Sequence, residues 1–356
     1  MTNDTLTDSF ASLRLSSSMR PSQALRGFSA WRHPPITEDT HPSLTQEHIK
    51  KLLSERLSLD ANPANFPRLN KRPRDTVVQT HRDVLPPEPK PSILIMLLHE
   101  YKRIKQENPA YSAESIMEEF DASFDVIIPR NVLLKIMTNS EWSVFAVRIT
   151  SSGPLFIDRT ESYSSNPGSA GHMFEQVISI SPPNCPTPPF HRIYAISSVA
   201  FSPRLRTLLS GEVDCVDESL TPVEVTTKPS WVPSDATRLL STYIQSLLIG
   251  VQTIVTGGFD TVPPRGSGKL VFGANKVQFE SAEKVRMNLD KDAVEACFEV
   301  GQTVLEHVKS ACKQLGVVYK ISGVGAAQFR CSELDSSEVI VSEKTMLACA
   351  EAICSM

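Results

Sequence analysis

With 356 residues, 40% hydrophobic and 21% charged, the chain has the make-up of a soluble globular protein of one large or two ordinary domains. A formal net charge of −4 excludes a globally basic nucleic-acid coat, so an anionic partner has to be met by local clusters or by metal. No apolar run reaches the ~18–20 residues of a membrane span. Residues 1–18 are too polar for a secretory signal, and seven scattered cysteines without a Cys-x-x-Cys pair read as free thiols in a reducing, intracellular compartment.

Residues 1–90 are rich in Ser, Thr, Pro and Arg and read as an irregular, loosely packed arm. Within it a short helix is expected over 45–57, with Ile49, Leu52, Leu53 and Leu57 on one side. Lys71-Arg72-Pro73-Arg74 reads as a solvated loop, the other readings being a nuclear-import patch or a phosphate contact; it leaves nuclear and cytoplasmic residence equally open.

The catalytic body is expected over 91–356. A helix over 92–106 carries Ile93, Leu94, Leu97, Leu98 and Tyr101 at helical spacing. A β-branched and apolar stretch over 124–137 surrounds Arg130, and strands over 143–149 and 154–157 flank a Ser-Ser-Gly turn. A helix holding residues 171–175 precedes a Pro-rich loop over 181–190. Ser234-Asp235 and Gly250 bracket the next helix, whose apolar stripe is Leu240, Tyr243 or Ile244, and Leu247. Gln245 falls off that stripe, on the face shared with Arg238 and Ser241. A strand over 253–256, a long amphipathic helix over 293–315 ending in Cys312 and Leu315, and a strand over 317–321 follow. The class is mixed α/β. Arg265-Gly266-Ser267-Gly268-Lys269 has Pro263 where a phosphate loop needs Gly, and reads as a flexible loop. Gly323-Val324-Gly325 reads as a turn. Cys185 with His191 is no zinc site, and no Ser-His-Asp triad is in view.

The chemistry is expected between the Pro-rich loop and the capped helix, at Gly211-Glu212-Val213-Asp214-Cys215 and Glu224-Val225-Thr226. Side chains alternate along a strand, so Glu212 and Asp214 project from one side, and a returning strand sets Glu224 beside them. Crowded carboxylates raise one another's pKa unless a cation neutralises them. Hard oxygen donors of this kind suit Mg2+ or Mn2+.

Taken together, five segments resemble motifs of the decapping and exoribonuclease (DXO) family, over about 124–321. They are Arg130 in Pro-Arg-Asn-Val-Leu-Leu-Lys-Ile-Met, Gly171 to Glu175, Ser210 to Cys215, Glu224, and Gln245 in Ile-Gln-Ser-Leu-Leu. The resemblance implies a PD-(D/E)xK nuclease-like core of mixed β-sheets flanked by helices. It also implies removal of incomplete, non-canonical or NAD caps or of pyrophosphate from RNA 5′ ends, with 5′–3′ exoribonuclease activity and a partner exoribonuclease as further expectations. Glu175, Glu212, Asp214 and Glu224, with Val225 counted in the set, would hold one or two divalent ions. Gln245 would contact the scissile phosphate and Arg130 a neighbouring one. The family's strand lysine is Thr226 in this chain. Lys228, two residues on and on the same face of a regular strand, is the expected substitute; the alternative is a catalytically impaired protein that binds RNA ends or a partner nuclease. A third reading is a DNA nuclease with the same carboxylates. Arg148, Arg192, Arg204 and Arg206 are candidates for a basic channel along single-stranded RNA.

Overall fold

The structure, a computed structural model, describes residues 22–32, 44–55, 57–59, 61–80, 92–138, 140–160, 169–181, 191–233, 235–262, 268–324, 328–334 and 341–356. The expected loop over 265–267 and most of the Pro-rich loop, with Cys185, lie outside these residues.

The first described third contains β1 (Ser22–Arg32), α1 (Gln46–Glu55), β2 (Leu57–Leu59), β3 (Arg68–Leu69), β4 (Thr76–Gln79), α2 (Ser92–Glu107) and α3 (Ala113–Ser123). Then come β5 (Val126–Pro129), α4 (Arg130–Met137), β6 (Glu141–Arg148), β7 (Leu155–Arg159), α5 (Ala170–Ile178), β8 (Ser179–Ile180), β9 (His191–Ser202) and β10 (Leu205–Glu212). The remainder is β11 (Cys215–Val216), β12 (Pro222–Pro229), α6 (Ala236–Leu248), β13 (Thr253–Thr261), β14 (Lys269–Ser281), α7 (Ala282–Met287), α8 (Lys291–Ala311), β15 (Val318–Val324), β16 (Gln328–Leu334) and α9 (Glu343–Cys354).

These strands form two mixed sheets. The nine-stranded sheet runs β16-β15-β6-β7-β5-β10-β9-β1-β2, and the seven-stranded sheet β4-β14-β13-β12-β11-β3-β8. The mixed α/β class expected from the sequence is the observed one. Strand alternation sorts the layers. Ile127 and Leu208 face α1, α2, α3 and α9, against Ile49, Leu98, Phe120 and Met346. Val126, Ile128 and Leu209 face the other way, into a central core with Leu133, Ile244, Leu248, Val304 and Leu305. Val216 and Ile254 of the second sheet reach the same core. Val223, Val225 and Val255 turn to the outer face, where α5 covers them with Phe174 and Ile178.

Four expectations need correcting. The boundary at residue 90 does not separate an arm from a body over the described stretches. β1 pairs along β9 and carries β2, while β3 and β4 join the second sheet. β1, β3 and β4 find partners over a hundred residues away, which no local pattern announces. Leu57 begins a strand beyond the end of α1. Leu315 lies past α8 and is 52% exposed, because the helix stops at its Cys312 cap. Gly323 and Val324 belong to β15, paired on both sides, and not to a turn.

β7, β5 and β10 run parallel, so their carboxyl ends open at one edge of the sheet. Arg130 and Glu212 both emerge there, in register from Ser210 against Pro129.

Candidate active site

The expected single strand carrying Glu212 and Asp214 is instead a crossing. Glu212 ends β10 in the first sheet; Val213 and Asp214 bridge; Cys215 starts β11 in the second. The crossing follows from burial. Val213 inserts into the central core and Cys215 into the outer one, leaving the two carboxylates half-buried between.

β11 is only two residues long and pairs with Pro222 and Val223 of β12. Past that point β12 has β13 on one side, in parallel register, and, among the described residues, no strand on the other. The Val225 N–H on that open side donates to Asp214 Oδ2 at 2.8 Å. On a strand, N–H and C=O of one residue point the same way, so the Val225 carbonyl faces this edge as well. Asp214 thus does the work of a missing strand.

Glu224 is 7% exposed and turns towards α6. Gln245 Nε2 donates to its Oε1 at 2.5 Å, and Arg130 Nη1 to its Oε2 at 3.2 Å. α6 is aimed by its caps. Asp235 accepts from the Thr237 N–H at the start, and Gly250 takes a φ of +75° past the end. Arg130, itself 9% exposed, runs over Gly211. A Cβ there would lie 2.7 Å from Arg130 Cδ and 2.8 Å from its Nε, so the glycine before Glu212 is what lets the guanidinium through. Glu175 arrives from α5 on the far side. That helix seats Phe174 directly on Gly257 of β13, where any Cβ would be 2.4 Å from the ring.

The electrostatics show the acids in one field. Burial, then the charges of Glu175 and Glu224, push Asp214 well above the usual carboxylate range, against the pull of the Val225 N–H and Arg130. Burial also raises Glu224. The charge and hydrogen bond of Arg130 and the Gln245 amide oppose the rise, Glu212 adds to it, and the net direction is up. Burial first, and then the same acids, raise the Cys215 thiol, which fits a role in packing. Asp214 and Glu224 are therefore both raised despite the Arg130 guanidinium beside them. Among the described residues, no three Asp, Glu, His or Cys side chains stand as a ready-made metal cage. In kind, the under-neutralised oxygen donors fit a hard divalent cation.

The structure thus brings Glu175, Glu212, Asp214, Glu224, Val225, Gln245 and Arg130 to one sheet edge. Lys228, half-buried and paired across from Gly258, lies two strand repeats from Glu224. Three of the basic-channel candidates, Arg148, Arg204 and Arg206, do not join them. Arg206 opens β10, roughly 20 Å along the strand from Glu212 at its other end. It is tied to Asp125 and the Ala122 carbonyl. Arg148 is spent on the carbonyls of Gly153 and Cys312, at 2.8 and 3.2 Å. Arg204 is exposed in the turn before β10, and the Arg192 side chain lies outside the described residues. The residue overlooked in the sequence is Arg238. Its Nη2 is 3.3 Å from Thr226 Oγ1 and also hydrogen-bonds the Thr227 carbonyl. The available signal was its spacing of seven from Gln245, two helical turns on one face.

A body of two mixed β-sheets flanked by helices agrees with the mixed α/β architecture that the resemblance implies. Solved structures with this fold include Rai1 and Dxo1 proteins, of the decapping and exoribonuclease family. The S. pombe Rai1 structure is 14% identical, with a TM-score of 0.57 over 88% of this chain and 95% of that one. Candida albicans Rai1, in complex with pU5-Mn2+, is 14% identical, with a TM-score of 0.55 over 98% and 99%. K. lactis Dxo1, in complex with manganese, is 10% identical, with a TM-score of 0.51 over 94% and 94%. No family model and no curated protein sequence matches the chain. At these identities the likeness is one of fold.

Proposed function

We propose that this protein is a divalent-metal-dependent hydrolase of RNA 5′ ends, removing incomplete or NAD caps or pyrophosphate. The observation that carries the reading is the geometry of the acidic edge: Glu224, buried under Arg130 and Gln245, beside an Asp214 held on the Val225 N–H and raised by burial and then by Glu175. Acids kept in that state cost stability, and a site that calls for a cation repays it. Glu175, Glu212, Asp214 and Glu224 would hold the ion, with the Val225 carbonyl facing the same edge. The chemistry supplied by a bound Mg2+ or Mn2+ is stabilisation of phosphate charge and a water of lowered pKa. Gln245 and Arg130, which donate to Glu224 in this structure, would be the residues that donate to phosphate oxygens, Arg130 as a two-pronged fork. The fold shared with Rai1 and Dxo1, and the pU5-Mn2+ complex of one relative, support the RNA substrate and the manganese.

A second reading is favoured by Thr226, which carries no charge: a protein that binds RNA ends, or a partner exoribonuclease, without turnover. One experiment separates the two. RNAs with monophosphate, triphosphate, methyl-guanosine and NAD 5′ ends are incubated with purified protein in Mg2+, Mn2+ or EDTA. The hydrolase reading expects EDTA-sensitive product that Asp214→Asn abolishes. Tight binding with no product in any metal supports the second reading and overturns the first.

A further inference from the structure

We infer that Arg238 supplies a second phosphate-binding cation of this site, besides Arg130, delivered from helix α6 across to strand β12. The inference rests on the proposed RNA 5′-end substrate and starts from a repeat in the geometry. Gln245 meets Glu224, and Arg238 meets Thr226. On the strand the two acceptors are two residues apart and share a face; on the helix the two donors are seven apart and share a face. The same helix–strand groove is thus bridged twice, once at the buried carboxylate and once at its open mouth.

Arg238 is exposed, and its contacts with Thr226 and Thr227 use Nη2 alone. Nη1 and Nε have no partner among the described residues, and neither does the positive charge. Held by a threonine hydroxyl and a main-chain carbonyl, the guanidinium keeps its position without being neutralised. That is how a protein prepares a cation for an anion that arrives later. A phosphate group reaching the carboxylate edge from solvent passes this mouth, about one strand repeat (~7 Å) from Glu224. Thr226 therefore need not carry charge; its hydroxyl anchors the residue that does. A guanidinium does not exchange its proton in the working range, so this group clamps phosphate and takes no part in proton transfer.

The test measures binding by metal-free full-length protein to two matched RNA oligonucleotides, one 5′-triphosphate and one 5′-hydroxyl, at low and moderate salt. Wild type is expected to prefer the triphosphate, and Arg238→Ala to lose that preference by about 10- to 100-fold. Arg238→Lys should retain part of it, losing the fork geometry but not the charge. Adding Thr226→Lys to Arg238→Ala should recover part of it too, since the charge returns to the same place. A preference that survives Arg238→Ala overturns the role of Arg238 and leaves the proposed function standing. A wild type blind to the triphosphate also overturns the inference, and the proposed function is overturned separately, by absence of product in the metal-dependent assay. An equal loss of affinity for both RNAs also overturns the inference, because it marks a general electrostatic or structural effect.

Discussion

Two glutamates, each held by arginine, divide the molecule into what is settled and what is poised. Glu100 of α2 is fully buried and receives three charged hydrogen bonds. Arg26 grips it at 2.7 and 2.9 Å, and Arg103 adds a third at 2.9 Å. Glu224 has one long arginine contact of 3.2 Å, one amide, and other carboxylates for neighbours. Two arginines reach Glu100, whereas one reaches Glu224, whose pKa a neighbouring carboxylate raises further. Burial alone does not mark a functional acid; the imbalance of charge around it does.

The comparison breaks most sharply under substitution. Asp214→Asn is expected to lower hydrolysis by about a hundred- to a thousandfold, yet to leave the metal-free protein as stable or more so, by removing an anion from a crowded field. Rate and melting temperature measured on one preparation check both halves; a large fall in stability would sink the poised reading. Glu100→Gln should do the reverse and cost about 3–5 kcal/mol of stability, because two arginines lose a buried partner. Urea unfolding reads this directly.

Gly211→Ala is a sharper probe, since the atoms nearest its methyl would be those of Arg130 and Ile249. It should cost about 1–3 kcal/mol and displace the guanidinium from Glu224. Manganese at a hundred times its dissociation constant should then add about 2.7 kcal/mol to wild type and little to Asp214→Asn, read as a shift in melting temperature.

The smallest effect is on pH. A carboxyl whose pKa is raised by folding holds its proton longer in the native state. Its stabilising contribution is full below about pH 4 and is lost as pH rises through the folded value. Asp158, raised by burial to about 6, adds to this trend with Asp214 and Glu224. Metal-free protein should therefore lose stability between pH 4 and 7, more steeply than Asp214→Asn. A flat profile would show the acids already neutralised.

Much of this site was legible in the chain. The caps of α6, the glycine before Glu212, and the acid spacing at 212, 214 and 224 are local features with local physical causes. The two halves of the groove were not. β1 meets β9 some 170 positions away, with a shift of register between Leu25 and Gly27, and hydropathy alone carries no record of that pairing. The sheet change at Val213 was hidden because alternation of burial continues through it. Helical spacing sets Arg238 on the face of Gln245 but gives it no role, since its meaning lies in the strand opposite and not in its own helix.

Glu212 and Asp214 are separated by a single valine, yet one is anchored to each sheet. Their spacing therefore works as a vernier between the layers: a slight slide of one against the other registers first as a change in bite at the acids. Repacking Ile244 or Val304, deep in the central core, should accordingly be felt as altered cation selectivity long before the protein loses its shape.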